Sequence, residues 1–166
     1  MADDHEIYGA AVLTISTGGA EGTREDTSGP EARELLREHG FTIAAAALVR
    51  DDIEAIREVL VRWVDDEDIP LIVTSGGTGP APFDLTPEAT RGILDREMPG
   101  IAEAMRGQTL AITPMAMISR SVAGTRKQSL IINLPGSPKG VRECLAVVAP
   151  VLRHTVALIR GNPTQH

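Results

Sequence analysis

The stretch Thr74-Ser75-Gly76-Gly77-Thr78-Gly79-Pro80-Ala81-Pro82-Phe83-Asp84-Leu85-Thr86-Pro87-Glu88-Ala89-Thr90 decides the fold. An apolar run, Leu71-Ile72-Val73, enters it as a strand. Pro87-Glu88-Ala89 leaves it as a helix, with Thr86 placed to cap the first turn. Strand, glycine loop and helix in direct succession form the repeating unit of a parallel sheet. Three glycines in four residues also present bare backbone amides, and the acid Asp84 follows them. Amides and a helix dipole both favour negative charge, so the stretch suits a phosphate-bearing ligand. It is not a P-loop, because no Gly-Lys-Ser/Thr follows. A dinucleotide fingerprint is excluded by the missing last glycine in Gly77-Thr78-Gly79-Pro80-Ala81-Pro82. The competing reading is a plain tight turn between strand and helix.

The same unit recurs on either side. Ala10-Ala11-Val12-Leu13-Thr14-Ile15 is a continuous apolar run, the pattern of a strand buried on both faces. Residues 16–23 read as a flexible polar loop, and Asp26-Thr27-Ser28-Gly29-Pro30 opens a helix that Gly40 ends. Residues 41–49 read as a second strand. Asp51 and Asp52 start a helix whose stripe is Ile53, Ile56, Leu60 and Trp63. Asp65-Asp66-Glu67-Asp68 reads as a solvated connection, and residues 69–74 as the third strand. The helix from Pro87 is expected to end near Arg96, with Met98-Pro99-Gly100 breaking it before a short helix through Met105. Residues 119–126 and 129–134 flank Lys127-Gln128 as a hairpin. The C-terminal part is helical and interrupted by Pro150. Alternating strands and helices make an α/β sandwich around a mostly parallel sheet. No linker or repeat divides it. Residues 9–161 form one domain between tails at 1–8 and 162–166.

Composition bounds the function. A chain of 166 residues with 42% hydrophobic residues carries a full core. A net charge of −7 with 2% aromatics excludes a basic, base-stacking groove for nucleic acid. The single Cys144 excludes an intrachain disulfide and fits a reducing compartment, hence the cytoplasm. No apolar run approaches the ~18 residues of a membrane span, and the acidic first residues lack a signal-peptide pattern.

In a parallel sheet, ligands bind beyond the carboxyl ends of the strands. The loops there are 16–28, 50–52, 75–86 and 135–140. Asp51 and Asp84 thereby reach one sheet edge. Two carboxylates ~4 Å apart repel by about 4 kcal/mol at an effective dielectric of 20, so a site holding both favours Mg²⁺. Each residue also has a plainer role, Asp51 and Asp52 as helix starters and Asp84 as a first-turn dipole residue. Ser119 and Arg120 read equally as polar residues at a strand start. Lys139 and Arg142 are candidate phosphate contacts or ordinary exposed cations. Cys144 lies in an apolar stripe and reads as core. No Gly-x-Ser-x-Gly and no zinc-spaced His/Cys set occurs.

The loop stretch, with Arg96-Glu97-Met98-Pro99-Gly100, Thr113-Pro114-Met115-Ala116-Met117-Ile118-Ser119-Arg120-Ser121 and Leu130-Ile131-Ile132-Asn133-Leu134-Pro135-Gly136-Ser137-Pro138, resembles the molybdopterin-binding (MogA/MoaB-like) family, related to gephyrin and plant G domains. The resemblance covers roughly residues 9 to 160. It implies a homotrimeric, three-layer α/β/α domain with molybdopterin and ATP as substrates. The implied reaction is Mg²⁺-dependent adenylyl transfer in molybdenum cofactor biosynthesis; the alternative is a non-catalytic trimeric pterin carrier. Carried over by position, Asp51 and Asp84 are the catalytic and Mg²⁺-binding aspartates. Gly76, Gly77, Thr78 and Gly79, with Ser75, form the phosphate loop. Ser16, Asp26, Ser28 and Ser119 fall on substrate-binding positions, and Pro135, Gly136 and Ser137 on a second binding loop. The chain departs from the family at two places. Thr17 follows Ser16 where Asp is frequent, and Phe83 precedes Asp84 where a basic residue is frequent.

Overall fold

A computed structural model describes residues 6–162. Its centre is a six-stranded sheet in the order β2-β1-β3-β6-β5-β4. The strands are β1 (Gly9–Ile15), β2 (Thr42–Val49), β3 (Leu71–Ser75), β4 (Arg96–Glu97), β5 (Ala123–Arg126) and β6 (Ser129–Leu134). β2, β1, β3 and β6 run parallel, β5 pairs antiparallel with β6, and β4 pairs antiparallel with β5. The helices are α1 (Thr17–Ala20), α2 (Ser28–Glu38), α3 (Ile53–Asp65), α4 (Thr86–Arg91), α5 (Pro99–Thr109) and α6 (Pro138–Ile159).

Period-two alternation divides the strand side chains between two cores. Ala10, Val12, Leu71, Val73, Leu130 and Ile132 face α2, α5 and α6. Ala11, Leu13, Ile15, Ile72 and Ile131 face α3 and α4. The result is a three-layer α/β/α sandwich, as expected. Covering both faces is what a continuous apolar strand requires. β2 is an edge strand, and its alternating exposure accounts for its run of alanines.

Several local expectations are corrected. Residues 16–23 are not all loop: Ser16 caps the four-residue α1 by accepting from Gly19 N at 3.0 Å. Thr86 is not a cap but the first residue of α4. It is buried, and its hydroxyl turns back to donate to Gly76 O at 2.8 Å. α4 stops at Arg91, because Arg96 and Glu97 pair with β5. The break at Met98-Pro99 begins a full helix of 11 residues, with Pro99 at its favoured first turn. Residues 119–122 lie outside the hairpin strand. α6 runs unbroken through Pro150, which sits on its exposed side. The buried stripe Val141, Leu145, Val148, Leu152 and Val156 spans that point, and its packing outweighs a lost bond worth ~3 kcal/mol.

The acidic run is anchored rather than merely solvated. Asp65 pairs with Arg126 at 2.7 Å and Lys127 at 3.3 Å, and Asp68 pairs with Arg160 at 2.7 Å. Residues 6–8 of the expected N-terminal tail are also fixed. Tyr8 is buried, Arg153 donates to Glu6 O, and Asn162 donates to both Glu6 and Tyr8. Residues 1–5 and 163–166 lie outside the described residues.

Candidate active site

The parallel strands deliver four loops to one edge. β1 and β3 are neighbours there although β2 follows β1 in sequence, so the chain reverses direction at this point. Such a switch point opens a crevice. Gly76 (φ +103°) and Gly77 (φ +67°) turn the chain out of β3. A Cβ on Gly76 would stand 2.3 Å from Ile15 O, and one on Gly77 2.3 Å from Thr86 Oγ1. The glycines are therefore demanded by the turn itself, which satisfies the plainer reading of them.

The loop's hydrogen bonding satisfies the other reading. Gly76 N donates to Leu134 O at 3.2 Å. The next three amides, Gly77, Thr78 and Gly79, donate to no protein acceptor among the described residues. Three consecutive amides without a protein acceptor, following a left-handed turn, are available to an anion.

Two cavities flank this loop. The polar one, about 350 Å³, is lined by Ser16, Asp26, Ser28, Asp51, Ser75, Gly76, Gly77, Asp84, Gly136 and Ser137 among others. The apolar one, about 460 Å³, takes Thr78, Gly79, Ser119, Pro135 and Ser137, with Met105, Met115 and Ile118 as greasy wall. Ser137 borders both. The fourteen residues expected at one site thus sit in two adjacent compartments.

Their side chains differ in availability. Asp51 Oδ2 accepts from Thr17 N at 3.0 Å and Thr17 Oγ1 at 2.8 Å, while Asp51 N donates to Thr17 Oγ1 at 3.1 Å. Thr17, a departure from the family pattern, therefore holds Asp51 in place. Asp84 Oδ2 accepts from Ala81 N at 3.0 Å. Each aspartate keeps its Oδ1 without a protein donor among the described residues. Asp26, by contrast, uses both oxygens on the protein, taking Thr14 Oγ1 at 2.9 Å and Gly29 N at 2.9 Å, which caps α2. Ser75 is buried and donates to Pro135 O at 2.9 Å, tying the two binding loops together. Ser137 caps the 22-residue α6 by accepting from Gly140 N at 3.0 Å. The N-termini of α2 and α6 both open on the polar cavity and favour an anion there.

Sequence reasoning named Arg120 only as a polar residue at a strand start and passed over Arg24. Arg120 clamps the glycine loop: its N donates to Thr78 O at 2.8 Å, its Nε to Gly79 O at 2.8 Å and its Nη2 to Asp84 O at 2.7 Å. Its guanidinium also pairs with Glu88 and holds that carboxyl below the usual range. Arg24 is the one cation lining the polar cavity, and it has no ion-pair partner among the described residues. Lys139 stands on the apolar cavity, 3.7 Å from Glu143, whereas Arg142 turns to Glu31 at 2.9 Å. Cys144 is buried beside that cavity, and burial pushes its thiol up to about 11.

Residues 11–154 match the family described as a probable molybdopterin binding domain. The chain belongs to that family. Among curated relatives, the molybdopterin adenylyltransferase of Helicobacter pylori strain J99 is 42% identical over 156 residues, covering 93% of this chain and 89% of that one. The Escherichia coli K12 enzyme of the same name is 40% identical over 136 residues, covering 81% and 70%. The crystal structure of the molybdopterin biosynthesis enzyme MoaB from Thermus thermophilus superposes with a TM-score of 0.90 at 51% identity, covering 96% and 100%.

Proposed function

We propose that this chain acts in molybdenum cofactor biosynthesis as a molybdopterin adenylyltransferase. A phosphate oxygen of molybdopterin attacks the α-phosphorus of ATP, and the bond to the bridging oxygen breaks as pyrophosphate departs. The observation that carries the reading is the adjacency of the two cavities across one loop with three free amides. The apolar compartment suits the apolar part of a substrate, and the polar one suits its phosphates. Phosphoryl-group transfer requires mainly positioning and charge stabilisation, which fixed amides supply. The names of the relatives at 40–42% identity support the same reaction.

The polar cavity is lined by Glu25, Asp26, Asp51 and Asp84 against Arg24 alone. A bound polyanion needs further positive charge. Asp51 Oδ1 and Asp84 Oδ1 fit Mg²⁺, which takes one or two carboxylates plus ligand phosphates rather than an all-protein cage. No cluster of three metal-ligating side chains occurs among the described residues, in keeping with that mode. Mg²⁺ held there would neutralise charge on the phosphates. The homotrimer finds support in the exposed apolar side chains Leu110, Ile112 and Met117 outside the two cavities. Sedimentation at three times 17.6 kDa is the expected result, and a monomer the contrary one. A cytoplasmic site of action accords with the lone cysteine. No helix among the described residues is long and apolar enough to cross a membrane.

A pterin carrier without nucleotide chemistry is the second reading, favoured by the acidic excess of the polar cavity. Calorimetry separates the two. The adenylyltransferase binds molybdopterin and MgATP together, and a carrier binds the pterin alone.

A further inference from the structure

The chain has four aromatic residues, Tyr8, Phe41, Trp63 and Phe83. Tyr8, Phe41 and Trp63 are buried at 7%, 3% and 2% exposure. Phe83 is 66% exposed and lines the polar cavity immediately before Asp84. The turn beneath it is rigid. Asp84 N donates to Ala81 O at 3.0 Å, Ala81 N returns the bond to Asp84 Oδ2 at 3.0 Å, and Arg120 Nη2 fastens Asp84 O at 2.7 Å. The phenyl ring is therefore presented at the cavity by a braced turn. The cavity is lined by four acidic residues against one arginine, so charge alone does not draw a phosphorylated ligand in. A ring face attracts a planar heteroaromatic group regardless of its charge, and does so best when it is already in place.

We propose that Phe83 is the stacking wall for the heteroaromatic ring of the phosphorylated ligand in the polar cavity. The inference rests on the adenylyltransferase reading. The ring that Phe83 receives is either the base of ATP or the pterin, and the two are distinguishable by titration.

The test is calorimetry on wild type, Phe83→Ala and Phe83→Trp with MgATP, with magnesium tripolyphosphate, and anaerobically with molybdopterin. Removing a stacking ring costs on the order of 10-fold or more in affinity. Phe83→Ala is expected to lose that much for ATP or for molybdopterin, and the ligand that suffers names the ring. Phe83→Trp is expected to retain wild-type affinity, and tripolyphosphate to bind all three proteins alike. Equal affinity of wild type and Phe83→Ala for both ring ligands overturns the inference alone. So does a parallel loss of tripolyphosphate, or a change confined to the sedimentation of Phe83→Ala. A wild type that binds no ATP overturns the functional reading, and the inference with it.

Discussion

Asp51 and Asp84 reach the cavity by different means. Asp51 is held through Thr17, whose backbone and hydroxyl both donate to one carboxylate oxygen. Asp84 is held by its own turn and by Arg120. Both keep one oxygen directed away from protein donors, the condition for working on a ligand. Arg24 offers the one guanidinium in the lining of that cavity. Arg24→Ala is expected to raise KM for ATP about 3- to 10-fold with kcat little changed, less than a buried charged hydrogen bond because the residue is exposed. Steady-state kinetics at fixed ionic strength checks it. The candidate aspartates were legible from their positions after strands. The roles of Arg24 and Arg120 were not: Arg24 joins the cavity only through the folding of the 16–28 loop, and Arg120 fastens residues 78–88 only after β3 and the 119–122 segment come together.

At the scale of elements, the strands β1, β3 and β6 were legible to within about two residues, because burial on both faces leaves an uninterrupted apolar run. Asn133 inside β6 was not singled out. It is fully buried, donates to Thr74 Oγ1 and Thr90 Oγ1 at 3.0 Å each, and accepts from Val122 N at 3.2 Å. It thereby ties β6 to β3, α4 and the segment carrying Ser119. Asn133→Ala leaves three polar groups without their partner and is expected to destabilise by about 2–4 kcal/mol, read as a lower urea midpoint. Pro150 misled for the opposite reason. A proline breaks a helix that stands alone, but packing on the far side carries α6 through. The short α1 contains Gly18 and Gly19 against propensity, and the Ser16 cap holds it.

The whole molecule is fastened at its rim by ion pairs that link distant elements. Arg126 holds the Asp65 carboxyl below its ordinary range, and Arg160 does the same to Asp68. The folded state thus binds these protons less readily than the unfolded chain. Their stabilisation is present above the ordinary aspartate range near pH 4 and is lost as pH falls through the lowered folded values. The urea midpoint is expected to drop from pH 7 to pH 3, and the double variant Asp65→Asn, Asp68→Asn to show a smaller drop. These pairs, the three-layer core and the crevice at the switch point serve one arrangement: a rigid loop between a polar and an apolar compartment. The central claim is that adenylyl transfer occurs across that loop. Incubating the protein with molybdopterin, ATP and Mg²⁺ and following products by mass spectrometry tests it directly. Wild type is predicted to yield adenylylated molybdopterin with pyrophosphate, and Asp84→Asn to bind both substrates without turnover. Binding of both substrates by wild type with no adenylylated product would contradict the account.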